Sequence, residues 1–522
     1  LKAGSMIAEK IQARIPLIIS ADQSIWSIHL PERERVQFNL VDATKQFTIH
    51  QPLNLNIQRF DVQIQPEAPD LLLNHHVRVA LSPFSVEIPQ QNNTLNVTIH
   101  PGHWTLDGKI DPKGFYQNYG KWRDASLNLP QSMLELGQIG ANFQFKHTPG
   151  DQKIADFSID KIQHRADHPF FALHRLSGNI YRYQQKTQTS FTLNLTGGLP
   201  NKQYLTFYAE HNLNTGKGKL NFDLTPLQFS PASLQISDLL PGLSEITDTE
   251  GTVSAMARFN WTRSGIQDSK GQIDVKQLSF AHPTAKINKM DTSVHFNSLI
   301  PLATPPQQSI DIQQVGAAVP IENLAIRFQI ESDSQKKPRI QLERTFFSLF
   351  AGNITTEPTL IDPFAKSARL TINLNEINLG QFFKAIQIEG LDGEGLLYGR
   401  VPIILDGKKV TIDHSHLTAK SPGVLRFHSD KASQMLAHSG EEMNLVLQAL
   451  EDFHYSELAL SMDKSPEHDL TATLSLLGKN PAVKSGQLIR LNINLTSNLE
   501  KILEAIIQGY SLSNEILSDL FR

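Results

Sequence analysis

The chain has 522 residues, with 48 Lys and Arg against 52 Asp and Glu, a formal net charge of -4 and no cysteine. That balance lacks the basic footprint of a nucleic-acid binder. The missing cysteines exclude disulfide scaffolds, thiolate metal sites and cysteine nucleophiles, and they fit an oxidising compartment such as a periplasm.

In chain order, residues 1–6, LKAGSM, read as a cloning remnant, which implies a cut-out piece whose anchor or export signal went with the missing part. A weak helical pattern covers Ile7 to Arg14. LNLNIQRFDVQIQ then alternates apolar and polar residues, placing Leu53, Leu55 and Ile57 on one face of a strand, and resumes after a slip at Gln58-Arg59 as Phe60, Val62 and Ile64. A slip of one residue turns every later side chain over unless a turn or bulge intervenes, so one is predicted there. The same texture returns at Leu193 and Leu195, at Leu220, Phe222 and Leu224, at Ile326, Phe328 and Ile330, at Leu370, Ile372 and Leu374, and at Leu491, Ile493 and Leu495.

Asp107-Gly108, Gly216 to Gly218, Asp392-Gly393 and Asp406-Gly407 read as hairpin turns, hence an antiparallel meander. Leu302 to Gln314, rich in Pro and Gln, reads as a long loop within one continuous architecture. Helical spacing is sparse: a short helix around Ala232 to Leu240, then Leu379, Phe382, Phe383 and Ile386, then Met443, Val446, Leu447 and Leu450, then Leu499, Ile502, Leu503 and Ile506. Glu441-Glu442 suits the positive end of the third of these helices. Gly393, Gly395 and Gly399 provide tight turning or close packing by the preceding helix. No run of about 18 apolar residues is present.

Roughly 400 residues of strand texture, at ~14 per strand and turn, make ~28 strands, or ~135 Å of sheet at ~4.8 Å per strand. A few one-sided helices cannot cover the apolar face of such a sheet. It must fold into dry sandwiches, close, or curl into an elongated open hydrophobic groove.

Catalytic patterns are poor. No nucleophile elbow, phosphate loop, HExxH pair or dinucleotide fingerprint is present. Ser158-x-x-Lys161 and Ser461-x-x-Lys464 match only a short S-x-x-K, and His414 and His416 stand two apart with no third metal ligand nearby. His75-His76, His164, His168 and His174 are less specific still.

The C-terminal quarter carries individual stretches: the helix leading into EGLDGEG, the hairpin GRVPIILDGKKVTI, SPGVLRF from Ser421 to Phe427, the triplet Phe453 to Tyr455, and a closing NINL strand. Over about 130 residues these resemble the YdbH family of AsmA-like envelope proteins, a group that includes TamB. The resemblance implies a mainly β, long twisted groove in the periplasm that carries phospholipids between inner and outer membranes, without catalysis or cofactor. It also implies an inner-membrane helix at the N-terminus, missing here, and a small outer-membrane lipoprotein, YnbE, adding strands at the C-terminal side, for which Leu491 to Arg522 is the expected docking region. Residues 7–376 are then groove, and 377–522 are a YdbH-like region continuing it with helices. The apolar positions named above are the candidate lining. Two other readings stay open: a polysaccharide-active β-helix or β-sandwich enzyme, which predicts convergent carboxylates in a polar cleft, and a structural or adhesive envelope protein, which predicts separate compact sandwiches.

Overall fold

The structure, a computed structural model, describes residues 2–3, 6–22, 24–42, 47–66, 72–89, 94–110, 116–146, 151–167, 169–185, 188–283, 285–316, 320–365, 367–386, 390–406, 409–429, 441–465 and 470–495. The fold is mainly β, and its strand pairs are antiparallel, as the alternation predicts. Two compact units are formed. The first is Leu1–Leu227 with Gln235–Ser244 and Ser254–Ser269; the second is Gln228–Leu234 with Glu245–Val253 and Lys270–Arg522.

In the first unit, strands Met6–Ala13, Glu34–Asp42, Leu53–Gln65, Leu72–Leu81, His103–Ile110, Tyr116–Leu129, Leu134–Lys146, Gln152–His164, His174–Gln185, Gln188–Leu199, Lys202–Asn212 and Gly218–Phe229 pair in that order. The hairpin Ile18–Asp22/Ile25–His29 lies beside Leu53–Gln65, and Phe84–Pro89/Thr94–His100 beside Tyr116–Leu129. The Gly216 turn forms as predicted: Gly216 has φ +71 and its N–H donates to the Asn212 carbonyl at 2.8 Å.

In the second unit, strand pairing runs from residues 270–282 through Ala285–Phe296, Gln308–Gly316, Ile321–Ser332, Pro338–Leu349, Gly352–Thr356, Ser367–Asn378, Leu396–Asp406, Lys409–Ala419, Phe453–Lys464 and Thr471–Lys479 to Ile489–Leu495. Helix Leu379–Ile386 matches its predicted span, and helix Glu441–Leu450 contains the predicted 443–450. The first is capped by Asn378, whose Oδ1 accepts the Gln381 N–H at 2.9 Å. The predicted helix at 499–506 lies outside the described residues.

Four expectations are corrected. Residues 7–14 are not helical: Met6–Ala13 is a strand paired with Glu34–Asp42 and bulged at Lys10, so sheet pairing overrides the i, i+4 spacing of Ile7 and Ile11. Only Ile236–Leu239 of the 232–240 segment is α-helical. Most of 302–314 is strand, since Gln308–Gly316 pairs on both edges. Asp107-Gly108 and Asp392-Gly393 sit inside strands rather than at turns. Gly108 is required because a Cβ there would lie 2.0 Å from Asn118 Oδ1 and 2.6 Å from His75 Cε1; at Gly393 it would lie 2.8 Å from Leu379 Cδ2, so helix Leu379–Ile386 packs there, as expected.

The predicted slip is a bulge. Ile57 faces Val79 and Arg59 faces Arg78, so Gln58 is the extra residue and the apolar set stays on one face. Such shifts recur, many with a non-glycine residue at positive φ: Asp124, Gln138, Gln277, Lys289, Asn323, Glu376 and His414. Side chains of neighbouring strands take up amides that these bulges leave over. Asp291 Oδ1 accepts the Gln277 N–H at 2.9 Å and Asp463 Oδ1 the His414 N–H at 3.0 Å.

Candidate functional site

Residues directly opposite in an antiparallel pair present their side chains to the same face. In the first unit the register therefore carries one face from Leu55, Ile57, Phe60, Val62 and Ile64 to Leu81, Val79, Val77, His75 and Leu73, and on to Trp104, Leu106 and Ile110. It continues through Trp122, Phe143, Phe157 and Ile180 to Leu193 and Leu195, then Phe207, and ends on Leu220, Phe222 and Leu224. All eleven lining positions named in this unit, Leu53 included, share it. In the second unit the same tracing joins Ile326, Phe328 and Ile330 to Leu342 and Ile340, and Leu370, Ile372 and Leu374 to Ile403, Val401 and Gly399. It ends with Leu491, Ile493 and Leu495 opposite Leu476, Leu474 and Ala472. Leu495 is described there by its backbone position alone.

What covers the two stretches differs. In the first unit Trp26, opposite Ile64, is 53% exposed, and Trp104, Ile110 and Phe145 are each more than a third exposed. The face is not uniformly bare, for Leu53 and Leu195 are buried. Its helical elements, Pro130–Ser132, Ile236–Leu239 and Pro241–Leu243, are each a single turn among the described residues. Toward the C-terminus of the second unit the face is sealed: Leu397, Leu417 and Leu425 are 0% exposed and join Leu379, Phe383, Ala449, Phe453 and Leu491 in one core. Leu370, Ile372, Leu374 and Ile493 pack against that core.

The open stretch holds an aromatic ladder that the sequence reading missed. Trp104 stacks on Trp122 with centroids 4.9 Å apart and on Phe143 at 5.5 Å, and Phe143 stacks on Phe145 at 6.0 Å. Trp122 Nε1 donates to the Pro101 carbonyl at 2.6 Å, which fixes its ring. The signal was the alternation Trp104, Leu106, Ile110, hidden by taking Asp107-Gly108 for a turn. Polar atoms interrupt the ladder at one row, where His75 and Asn118 flank Gly108, with His75 Nδ1 and Asn118 Oδ1 buried and unpartnered. Burial holds the His75 imidazole below its ordinary value, against the opposing charge of Asp107.

The other motif residues do not converge. Lys161 lies 3.3 Å from Glu135 rather than on Ser158, Ser461 stands opposite His416, and His414 contacts Asp413 at 2.7 Å. His174 Nδ1 donates to the Ala172 carbonyl, so its Nε2 accepts the Tyr204 hydroxyl, whose pKa burial pushes up to about 12. Among the described residues no three His, Asp or Glu side chains are grouped to hold a metal ion, and no helix is long and apolar enough to cross a membrane.

No curated protein and no solved structure matches the chain. A family model does: YdbH-like, described as intermembrane phospholipid transport protein YdbH, matches residues 26–518. The chain belongs to the YdbH-like family of intermembrane phospholipid transport proteins.

Proposed function

We propose that the apolar face is the lipid-carrying surface, a groove wall that shields phospholipid acyl chains in the periplasm while the headgroup stays wet, and that the protein works by binding alone. The observation that carries this reading is the in-phase apolar face from Leu55 to Leu224, kept in register by bulges and left open at Trp26, Trp104, Ile110 and Phe145. A 16-carbon chain exposed to water costs ~13 kcal/mol at ~0.8 kcal/mol per CH2, and an apolar wall removes most of that barrier without any sequence-specific chemistry. Within the second unit Ile326, Phe328 and Ile330 are lining in this reading, Leu370, Ile372, Leu374, Leu491 and Ile493 back it where the core closes, and Leu495 is assigned to it by register alone.

The partners follow from the same reading. Strand Ile489–Leu495 pairs with Thr471–Lys479 along one edge, and no partner strand lies on its other edge among the described residues, which supports strand addition there by the outer-membrane lipoprotein YnbE. In the same reading an N-terminal helix anchors the protein in the inner membrane. Lipid extraction of the purified chain with mass spectrometry tests the proposal: phospholipid co-purifies with the parent chain, and Leu193→Glu with Phe222→Glu abolishes it in a folded protein. A parent chain free of lipid, or a folded double variant that keeps it, contradicts the reading.

A further inference from the structure

The open face of the first unit is graded across four strands. Nearest the hairpin ends stands a row of Arg182, Phe191, His211 and Gly218; the next rows are Ile180, Leu193, Ala209, Leu220, then Gly178, Leu195, Phe207, Phe222, then Leu176, Gly197, Leu205, Leu224. The first row carries two polar side chains, Arg182 and His211, and the three rows behind it carry none. From Arg182 to Leu176 is about 20 Å at ~3.4 Å per residue.

Arg182 Nε is buried without a hydrogen-bond partner. Three nearby carboxylates are engaged elsewhere: on or just before the flanking strand Gln152–His164, Asp156 with Lys153 at 2.6 Å and Asp151 with the Gln184 N–H at 3.3 Å, and on Lys202–Asn212, Glu210 with Lys219 at 3.0 Å. A buried guanidinium donor left unpaired is costly, and its planar fork matches a phosphate. In the same row Trp261 Nε1 donates to His211 Nδ1 at 3.1 Å, which leaves the His211 Nε2–H as a further donor. Trp261 also covers Gly218, where a Cβ would fall 2.3 Å from its ring.

We propose that the Arg182 row is a headgroup subsite that holds the phosphate of a phospholipid whose acyl chains lie over the Ile180, Leu195 and Leu224 rows. This deepens the lipid-carrying reading and rests on it. It assigns the face a selectivity: a phosphate-bearing lipid over a neutral one with the same chains.

The test uses the chain freed of lipid and loaded from cyclodextrin with dioleoylphosphatidylglycerol or dioleoylglycerol, bound lipid being counted by mass spectrometry. The parent chain is expected to prefer the phospholipid about tenfold. Arg182→Met is expected to lose that preference while binding dioleoylglycerol within about twofold of the parent, and Arg182→Lys to keep part of it. Melting curves check both variants; because the Nε has no partner to lose, both are expected to fold, with Arg182→Gln as the second neutral variant. A preference unchanged in Arg182→Met or Arg182→Gln, or equal binding of both lipids by the parent, overturns the subsite alone. Displacement of the phospholipid by equimolar inorganic phosphate overturns the lipid as the source of the anion. A parent chain that binds neither lipid overturns the subsite together with the groove reading.

Discussion

Strands Gln188–Leu199 and Lys409–Ala419 are built alike, each with alternate apolar residues opposite apolar residues of both neighbours, yet Leu193 lies on an open face and Leu417 is fully buried. Alternation therefore decides which residues share a face but not what meets that face. The difference comes from the cover. The second unit supplies helix Leu379–Ile386, helix Glu441–Leu450 and the paired strands Leu391–Glu394 and Gly423–Phe427, whereas the first unit supplies only single turns among its described residues. One sequence pattern thus forms a sealed protein core in one region and, in the function proposed above, a lipid wall in the other.

The largest expected contrast comes from placing a charge in each region. Leu417→Glu buries an unpaired carboxylate and is expected to cost at least about 3–5 kcal/mol, enough to unfold much of the second unit. Leu193→Glu is expected to cost about 1 kcal/mol and to reduce lipid occupancy instead. Urea unfolding with lipid counting separates the two, and equal destabilisation would erase the contrast. Glycine packing gives a smaller effect confined to the sealed region. A Cβ at Gly423 would lie 2.2 Å from the Glu394 carbonyl oxygen and 2.3 Å from Tyr455 Oη, so Gly423→Ala is expected to cost about 1–3 kcal/mol with lipid occupancy unchanged.

The smallest effect is a pH dependence belonging to the open face. Because burial lowers the His75 pKa, the unfolded chain binds the proton more readily. Stability is full above the ordinary value of 6.5 and declines as pH falls through it toward the lowered folded value. The parent chain is expected to lose more stability between pH 7.5 and 5.5 than His75→Gln, by about 1 kcal/mol or less, in paired denaturation curves. Identical pH slopes would show that His75 is not desolvated.

Much of this was legible in the sequence. The strands, the shared face and the bulge at Gln58 follow from period-two alternation and its one visible slip, and the helix at 379–386 from its apolar stripe. Other bulges left the same trace unread. In LTINLNEINL the apolar residues step from Leu374 to Ile377, and Glu376 there has φ +58. What stayed hidden depends on neighbours distant in sequence. Gly108 reads as a turn until His75 and Asn118 are seen to fill the space of its missing Cβ, and the burial of Leu417 depends on helices that its own strand cannot announce. Likewise, Arg182 reads as a solvated charge until its register partner Phe191 places it on the apolar face.

The most direct test of the central claim is site-specific photo-crosslinking in living cells, with a benzophenone amino acid at Phe143 and Leu193 on the apolar face and, on the opposite face, at Lys121 of the strand next to Phe143 and at Asn194 of the same strand as Leu193. Phospholipid adducts at the first two positions and none at the second two are the predicted result. Adducts at all four positions, or at Lys121 and Asn194 alone, would contradict it.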